Sequence, residues 1–403
     1  MMAYKSINKN RKVQNWIFFI FSLISIGSFY PFVHNYIFFG DYKVLASLSL
    51  MAVWFFWIIL TNKRLTFPNP AFSKIIFIQI LFLFFAAFLL DSVSNYMTLF
   101  YLLLSWISLF LILNSFNVLF FLKNFIRLNI LMGFLSILGV VLFAIGNLKL
   151  LGTYQYQGDS QIYNYGLLFI KRTSEISHEL RPAGYYDEPG SFAFVVMFLL
   201  LLNRKYFHNM KWEYLLIFLP LVTTSLAHIV TIIVFAFIFY FNKKQIKNIF
   251  FSLIVIFSLS FLVVSFSNIK SIDYFKTRTL GRIENIIEGG DDASRQGGLD
   301  LGPKIFAENP WGNSREEIAK NYPGFVHETF WGPLIYYGIF GVAFYFLPFI
   351  YFGIRSLWNK NTMGILFLFV VCLNLLQRPS YMYPLFIILI YFLFFKSEKS
   401  TKY

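Results

Sequence analysis

Apolar stretches separated by short polar ones run through almost the whole chain. Charge-free runs of 17 or more residues recur, and a helix needs about 20 mostly apolar residues to cross a hydrocarbon core. The pattern predicts helical spans at 16–33, 44–60, 71–90, 97–114, 128–146, 190–202, 214–225, 227–241, 249–266, 329–353, 362–376 and 382–395. The period-two alternation of a membrane β-barrel is absent. The expected fold is therefore an all-α polytopic membrane protein with about 12 transmembrane helices. A separate amphipathic piece is expected at Phe116–Ile126, flanked by Lys123 and Arg127.

One stretch breaks the pattern. His178–Ser191 reads HELRPAGYYDEPGS and packs a histidine, an arginine and three acids into a few residues. The charge-free run behind it, Phe192–Leu202, holds 11 residues. That is about 16 Å of helix, against a hydrocarbon core of about 30 Å. Either the helix extends back into the polar stretch or that stretch dips below the membrane surface. Arg181, Asp187 and Glu188 are then expected at the rim of the bilayer, where charge is expensive and usually functional.

Tyr214–Phe241 is also irregular. Its 28 residues would make one helix of about 42 Å. Both flanks are basic, with Arg204–Lys205 before and Lys243–Lys244 after. A chain that turns back at Pro220 and Thr223-Thr224-Ser225 keeps both flanks on one side. The tip would carry His228, as a packed core histidine or as a catalytic one.

Two hydrophilic segments are expected on the outer side. In Gly152–Gly190, Tyr154, Tyr156, Tyr163 and Tyr165 with Gln155 and Gln157 suit stacking on sugar rings and suit an interfacial aromatic belt equally. Asn268–Val326 is the larger and reads as structured. Ser271–Ile287 fits a helix with Arg278 and Arg282 on one face, ended by Gly289-Gly290. Asp291–Arg295 follows as a turn, then a short helix around Pro303–Glu308. Ser314 with Glu317 three residues later reads as a capping box for a last short helix. The paired acids Asp291 and Asp292 lack the further ligands a cation site needs.

Composition and charge sharpen this. Hydrophobic residues are 58% and charged ones 13% of the 403. The net charge of +15 invites nucleic acid, but its distribution excludes that partner. Starting inside, the inner segments hold 20 Lys and Arg and two acids, Glu213 and Glu398; the outer segments hold 14 bases and 17 acids. This positive-inside asymmetry places both termini in the cytoplasm. No inner loop is long enough to be a basic nucleic-acid domain. The basic start, Lys5 to Lys12, and the apolar run Trp16–Phe32 lack a small-x-small cleavage site, so an uncleaved first helix is expected. The single cysteine, Cys372, allows no internal disulfide.

The outer rim gathers Arg181, Arg278, Arg282, Arg295 and Arg378 beside His327, Asp187 and Glu188. Arginine is planar, always charged and bidentate toward phosphate. Histidine is the natural general base near neutral pH. A clamp and a base opening to the outer leaflet suit transfer from a lipid diphosphate, with arginines stabilising the leaving charge. The same arginines would also serve as plain surface anchors. No metal cluster and no nucleotide-binding glycine loop is present in the sequence, so no cofactor is expected. Charge-free mid-spans argue against an ion-coupled transporter.

Three stretches, RPAGYYDEPGSFAF (Arg181–Phe194), SRQGG…FAENPWGN (Ser294–Asn313) and HETFWGPLIYYGIFG (His327–Gly341), resemble marks of the O-antigen ligase / Wzy-type polymerase superfamily. The resemblance covers the chain from about residue 128 onward. It implies a GT-C-like fold with a large structured extracytoplasmic loop, in a bacterial inner membrane. It also implies metal-independent glycosyl transfer from undecaprenyl-diphosphate-linked oligosaccharide. By the matching positions it would assign Arg181 and Arg295, with Arg282 and Arg278 less firmly, to the diphosphate. His327 would be the base or acceptor-positioning group, supported by Glu188. Partners would be the lipid bilayer, a chain-length regulator and a flippase, with no nucleic acid. The expected division is 1–148 (helices one to five), 149–267 (first outer loop and helices six to nine), 268–326 (large outer loop) and 327–403 (helices ten to twelve). Asp-Glu-Pro-Gly at 187–190 looks more like polymerases; Glu328 departs from ligases. The ligase and a lipid-linked oligosaccharide flippase remain the alternatives.

Overall fold

The computed structural model describes residues 2–27, 38–62, 64–90, 93–115, 117–144, 149–155, 161–164, 166, 170–173, 184, 186, 189–223, 226–240, 296–325, 329–377 and 381–396. The first helices are α1 (Met2–Gly27), α2 (Lys43–Thr61), α3 (Pro70–Leu89), α4 (Val93–Ser115) and α5 (Val118–Ala144). A three-stranded antiparallel sheet follows, β1 (Gly152–Gln155), β2 (Gln161–Asn164) and β3 (Ile170–Thr173), with Thr153 opposite Tyr163 and Tyr163 opposite Lys171. Then come α6 (Pro189–Tyr206), α7 (Met210–Phe218), a 3₁₀ turn (Leu219–Thr223) and α8 (Leu226–Tyr240). The chain continues with α9 (Gln296–Glu308), α10 (Arg315–Asn321), α11 (Trp331–Tyr345), α12 (Leu347–Trp358), α13 (Thr362–Gln377) and α14 (Pro384–Ile390), which runs on as a π turn (Tyr391–Phe395).

The chain is an α-helical membrane protein. Among the described residues five stretches are long and apolar enough to cross a bilayer: Gly40–Thr61, Pro70–Leu89, Ser94–Ser115, Val118–Gly139 and Trp331–Trp358. On α2 and α3 large apolar side chains such as Leu60, Phe88 and Leu89 point outward. Such surface belongs against lipid. Local chemistry starts the helices where expected. Asn69 Oδ1 accepts from the Ala71 N–H at 2.9 Å and Pro70 occupies the first turn of α3. Ser314 Oγ accepts from the Glu317 N–H at 3.1 Å and opens α10, as its sequence predicts.

Helix α6 is the hub. Every residue from Ser191 to Asn203 is buried, which is how a helix apolar all round behaves. It packs on α5, α7, α8, α13 and α14; the Phe194 and Phe386 rings meet at 4.9 Å. The short run is completed from behind. The helix carries on through Arg204 and Lys205 to 18 residues, about 27 Å. Lys205 Nζ donates to the carbonyls of Phe392, Leu393 and Lys396 at 3.0, 2.7 and 2.8 Å, capping the end of α14.

The segment after it turns back, as its basic flanks predict. Tyr240, the last residue of α8, donates its hydroxyl to Glu213 near the start of α7. The 3₁₀ turn around Pro220 makes the reversal. At the same end of the bundle lie the first turn of α3, where the Phe72 and Phe395 rings meet at 5.0 Å, and the early part of α5, where Phe121 faces Phe392 at 6.1 Å. The end of α12 is there too, with Tyr351 stacked on Phe395 at 5.9 Å. This end carries Lys74, Lys123, Arg127, Arg204, Lys205, Lys211, Arg355, Lys360 and Lys396, and among the described residues one acid, Glu213.

Three expectations are corrected. The piece 116–126 is no separate surface helix: α5 runs unbroken for 27 residues, because no Gly or Pro interrupts Val118–Met132. The span 329–353 is two helices that change at Phe346, with Pro348 in the first turn of α12 and a further break at Gly338 inside α11. The stretch 152–173, expected as a loop in an all-α fold, holds the sheet. The Ser271–Ile287 helix, the Asp291–Asp292 turn, the 249–266 span, Thr224-Ser225, Tyr156, Tyr165 and Arg378 lie outside the described residues.

Candidate functional site

All six predicted site residues, Arg181, Glu188, Arg278, Arg282, Arg295 and His327, lie outside the described residues. Three of them stand within two residues of described ones. Glu188 precedes Pro189, the first residue of α6; Arg295 precedes Gln296, the first of α9; His327 comes two residues before the buried Thr329. The site is therefore built from the segments that carry these positions.

The first segment reaches deep into the bundle. Tyr186 is fully buried and donates its hydroxyl to Asn129 Oδ1 at 2.5 Å, with its ring stacked on Phe192 at 5.4 Å. Gly184, at φ +61°, faces Met132. Asn129 and Met132 sit in the middle of α5, so Gly184 and Tyr186 lie at helix mid-depth. The hairpin tip arrives at the same place from the basic end. Gly133 has no room for a Cβ, which would fall 2.7 Å from Leu219 Cβ. Non-helical backbone at this depth is tolerated only when buried in protein or lining a wet cavity. His228 is also buried, close to the Ile217 backbone, and among the described residues neither ring nitrogen makes a good hydrogen bond.

Tyr186→Phe leaves the buried Asn129 oxygen without its donor. We expect a loss of about 1–3 kcal/mol, read as a lower apparent unfolding midpoint in detergent with normal membrane insertion. An unchanged midpoint would mean the bond contributes nothing.

The second and third segments interlock. At Gly338 the backbone of α11 leaves helical geometry at φ +67° and ψ −178°. In an unbroken helix the Ile339 N–H would bond the Ile335 carbonyl. Here the Ile339 N–H donates to the Pro310 carbonyl at 3.0 Å. The Ile335 carbonyl accepts from the Asn313 N–H at 2.9 Å and from Asn313 Nδ2 at 3.1 Å. The loop between α9 and α10 thus supplies the hydrogen bonds the break removes. Asn309 Nδ2 braces that loop on the Gly312 carbonyl at 2.7 Å, and Trp311 stacks on Phe340 at 5.8 Å. One turn earlier Gly302 of α9 lies flat against the Trp331 ring, which would meet a Cβ at 2.5 Å. Positions that flank Arg295 and His327 in sequence are in this way carried by two helices packed on each other.

Sequence reasoning missed one arginine that the structure describes. Arg315 opens α10, with its guanidinium 5.0 Å from the Tyr336 ring and Tyr101, Tyr337 and Tyr345 in electrostatic range. Among the described residues it has no carboxylate partner. Its neighbour Glu316 accepts from the Ser94 N–H at 3.3 Å, tying α10 to the start of α4. A cation in the first turn of a helix opposes the macrodipole, and that misplacement was the available signal.

Comparisons with protein-family models, with curated proteins and with solved structures find no match to this chain.

Proposed function

We propose that this protein is a metal-independent membrane glycosyltransferase of the polysaccharide-polymerase kind, with twelve spans and a GT-C-like fold in a bacterial inner membrane. It moves a growing glycan from undecaprenyl diphosphate onto the sugar end of a fresh lipid-linked repeat unit. By the positive-inside rule the basic end and both termini face the cytoplasm, so the reaction runs on the opposite face. The observation that carries the reading is the lock at Gly338. Two of the three stretches behind the resemblance are partner surfaces of one joint, completing each other's hydrogen bonds.

In the proposed step an acceptor hydroxyl loses its proton to His327, with Glu188 supporting. The hydroxyl oxygen bonds the anomeric carbon, and the bond from that carbon to the diphosphate oxygen breaks. The diphosphate leaves with the electron pair, held by Arg181 and Arg295 with Arg282 and Arg278.

Purified protein in vesicles supplied with already-flipped lipid-linked repeat units should make a ladder of chains. Arg181→Ala, Arg295→Ala and His327→Ala should each abolish it while the protein inserts normally. Arg181→Lys should also fail if contact is bidentate. Full activity of His327→Ala would remove its role as base. In cells, loss of all surface glycan with lipid-linked polymer accumulating would instead mean a ligase.

A carrier of lipid-linked oligosaccharide is the second reading. It is favoured by the contacts that Gly184, Tyr186 and Leu219 make at Asn129–Gly133 in mid-helix, since carriers place sites at broken helices near the midplane. Movement of substrate across the vesicle with no polymer formed would select it.

A further inference from the structure

Helix α12 presents an unusual face at the basic end. Ile350, Ile354, Leu357 and Trp358 form one stripe along it, and all four are exposed, Trp358 by 87%. Beside the stripe Tyr351, Ile354, Arg355, Trp358 and the C-terminal Asn359 line a groove of about 190 Å³. Spacings of three and four residues put the helical members of this set on one side. The guanidinium of Arg355 is exposed and has no ion pair or hydrogen bond among the described residues. Lys360 follows at the turn. The one acid described at this end, Glu213, is already held by Arg204 at 2.7 Å, so no carboxylate among the described residues neutralises Arg355.

We propose that this groove binds the headgroup of an anionic phospholipid from the leaflet at the basic end. The groove has room for a phosphate-sized group and not for acyl chains. The chains would leave along Ile350, Ile354 and Leu357, which already face outward as lipid-contacting residues do. Arg355 would hold the phosphate by its charge, and Trp358 would sit at the headgroup level that suits its amphipathic ring. Basic pockets of this kind on membrane proteins recognise acidic headgroups. A zwitterionic lipid carries its own cation and gains less from an unpaired arginine. The inference is independent of the glycosyltransferase reading.

The test uses the full chain in vesicles containing phosphatidylglycerol with a diazirine near its glycerol. After illumination, label should map to the peptide spanning Tyr351–Asn359. With Arg355→Gln the labelled fraction should fall about fivefold, as expected for one basic contact at a membrane surface. Arg355→Lys should keep most of it, which separates lost charge from lost fold. A phosphatidylcholine probe with the same diazirine should label this peptide about as weakly as Arg355→Gln does with phosphatidylglycerol. Equal labelling by the two lipids, or no change with Arg355→Gln, overturns the proposal.

Discussion

Replacing Gly338 by alanine should lower the apparent unfolding midpoint more than any other single glycine change among the described residues. At φ +67° and ψ −178° an alanine would sit in backbone space open essentially to glycine alone, at a cost of about 1–3 kcal/mol. Its Cβ would also fall 2.3 Å from the Trp311 carbonyl oxygen and 2.8 Å from that of Pro310. These are backbone atoms and cannot swing aside. Relief requires the loop to back away, which breaks the Pro310–Ile339 and Asn313–Ile335 hydrogen bonds at about 1 kcal/mol each, more where the freed groups stay buried. The expected total is about 3–5 kcal/mol. Three other glycines calibrate it. Gly312→Ala meets the Tyr336 carbonyl at 2.9 Å with φ +120° and should come close behind. Gly40→Ala meets open space at φ +54° and should show the strain alone. Gly324→Ala has only Leu301 at 3.8 Å and should be silent. The measurement is thermal unfolding in detergent, with proteolysis between Asn309 and Ser314 as a local readout. If Gly338→Ala matches Gly324→Ala, the joint does not hold the outer segment.

Glu213→Ala should be nearly as damaging, at the opposite end. Glu213 is 1% exposed and accepts from Arg204 Nε at 2.9 Å and Nη2 at 2.7 Å, from the Tyr240 hydroxyl and, at 3.4 Å, from Asn203 Nδ2. The Arg204 guanidinium lies among Phe235, Phe239 and Tyr240, with ring centroids at 5.4, 4.7 and 4.6 Å. Removing the carboxylate strands a cation that is 19% exposed. Breaking a buried pair from one side usually costs about 3–5 kcal/mol. Replacing both ends with apolar residues of similar size, Arg204→Met with Glu213→Leu, should recover most of it, because no unpaired charge remains. A single-variant loss under about 1 kcal/mol, or a double variant no better than Glu213→Ala, would show that this pair does not secure the α7–α8 hairpin.

Much of this architecture was legible in residue order. The reversal after Tyr214 followed from two basic flanks that must stay on one side, and Tyr240 on Glu213 is that reversal. The Ser314 cap followed from side-chain chemistry three residues long. The boundary errors have local causes. Nothing between Val118 and Met132 stops a helix, so the amphipathic piece and the next span fused. The break at Gly338 looked like one more small residue in an apolar run, because its cause, the Trp311 carbonyl, lies 27 positions earlier. The predicted site residues cluster in the polar segments, and those segments fall outside the described residues. Arg315 was passed over because its aromatic surroundings come from α4 and α11.

By itself the sequence determined that the chain lives in a bilayer, which stretches are helical, which end of the bundle is basic, and where the chain must turn. These follow from transfer free energies and from hydrogen bonds a few residues in reach, which order along the chain encodes directly. Only the tertiary structure decided that α6 would be the buried hub, that Tyr186 and Leu219 would both meet α5 halfway along it, and that Asn313 would complete the hydrogen bonds broken at Gly338. Such matches depend on which carbonyl of one segment faces which N–H of another, and every residue but proline carries the same pair of groups.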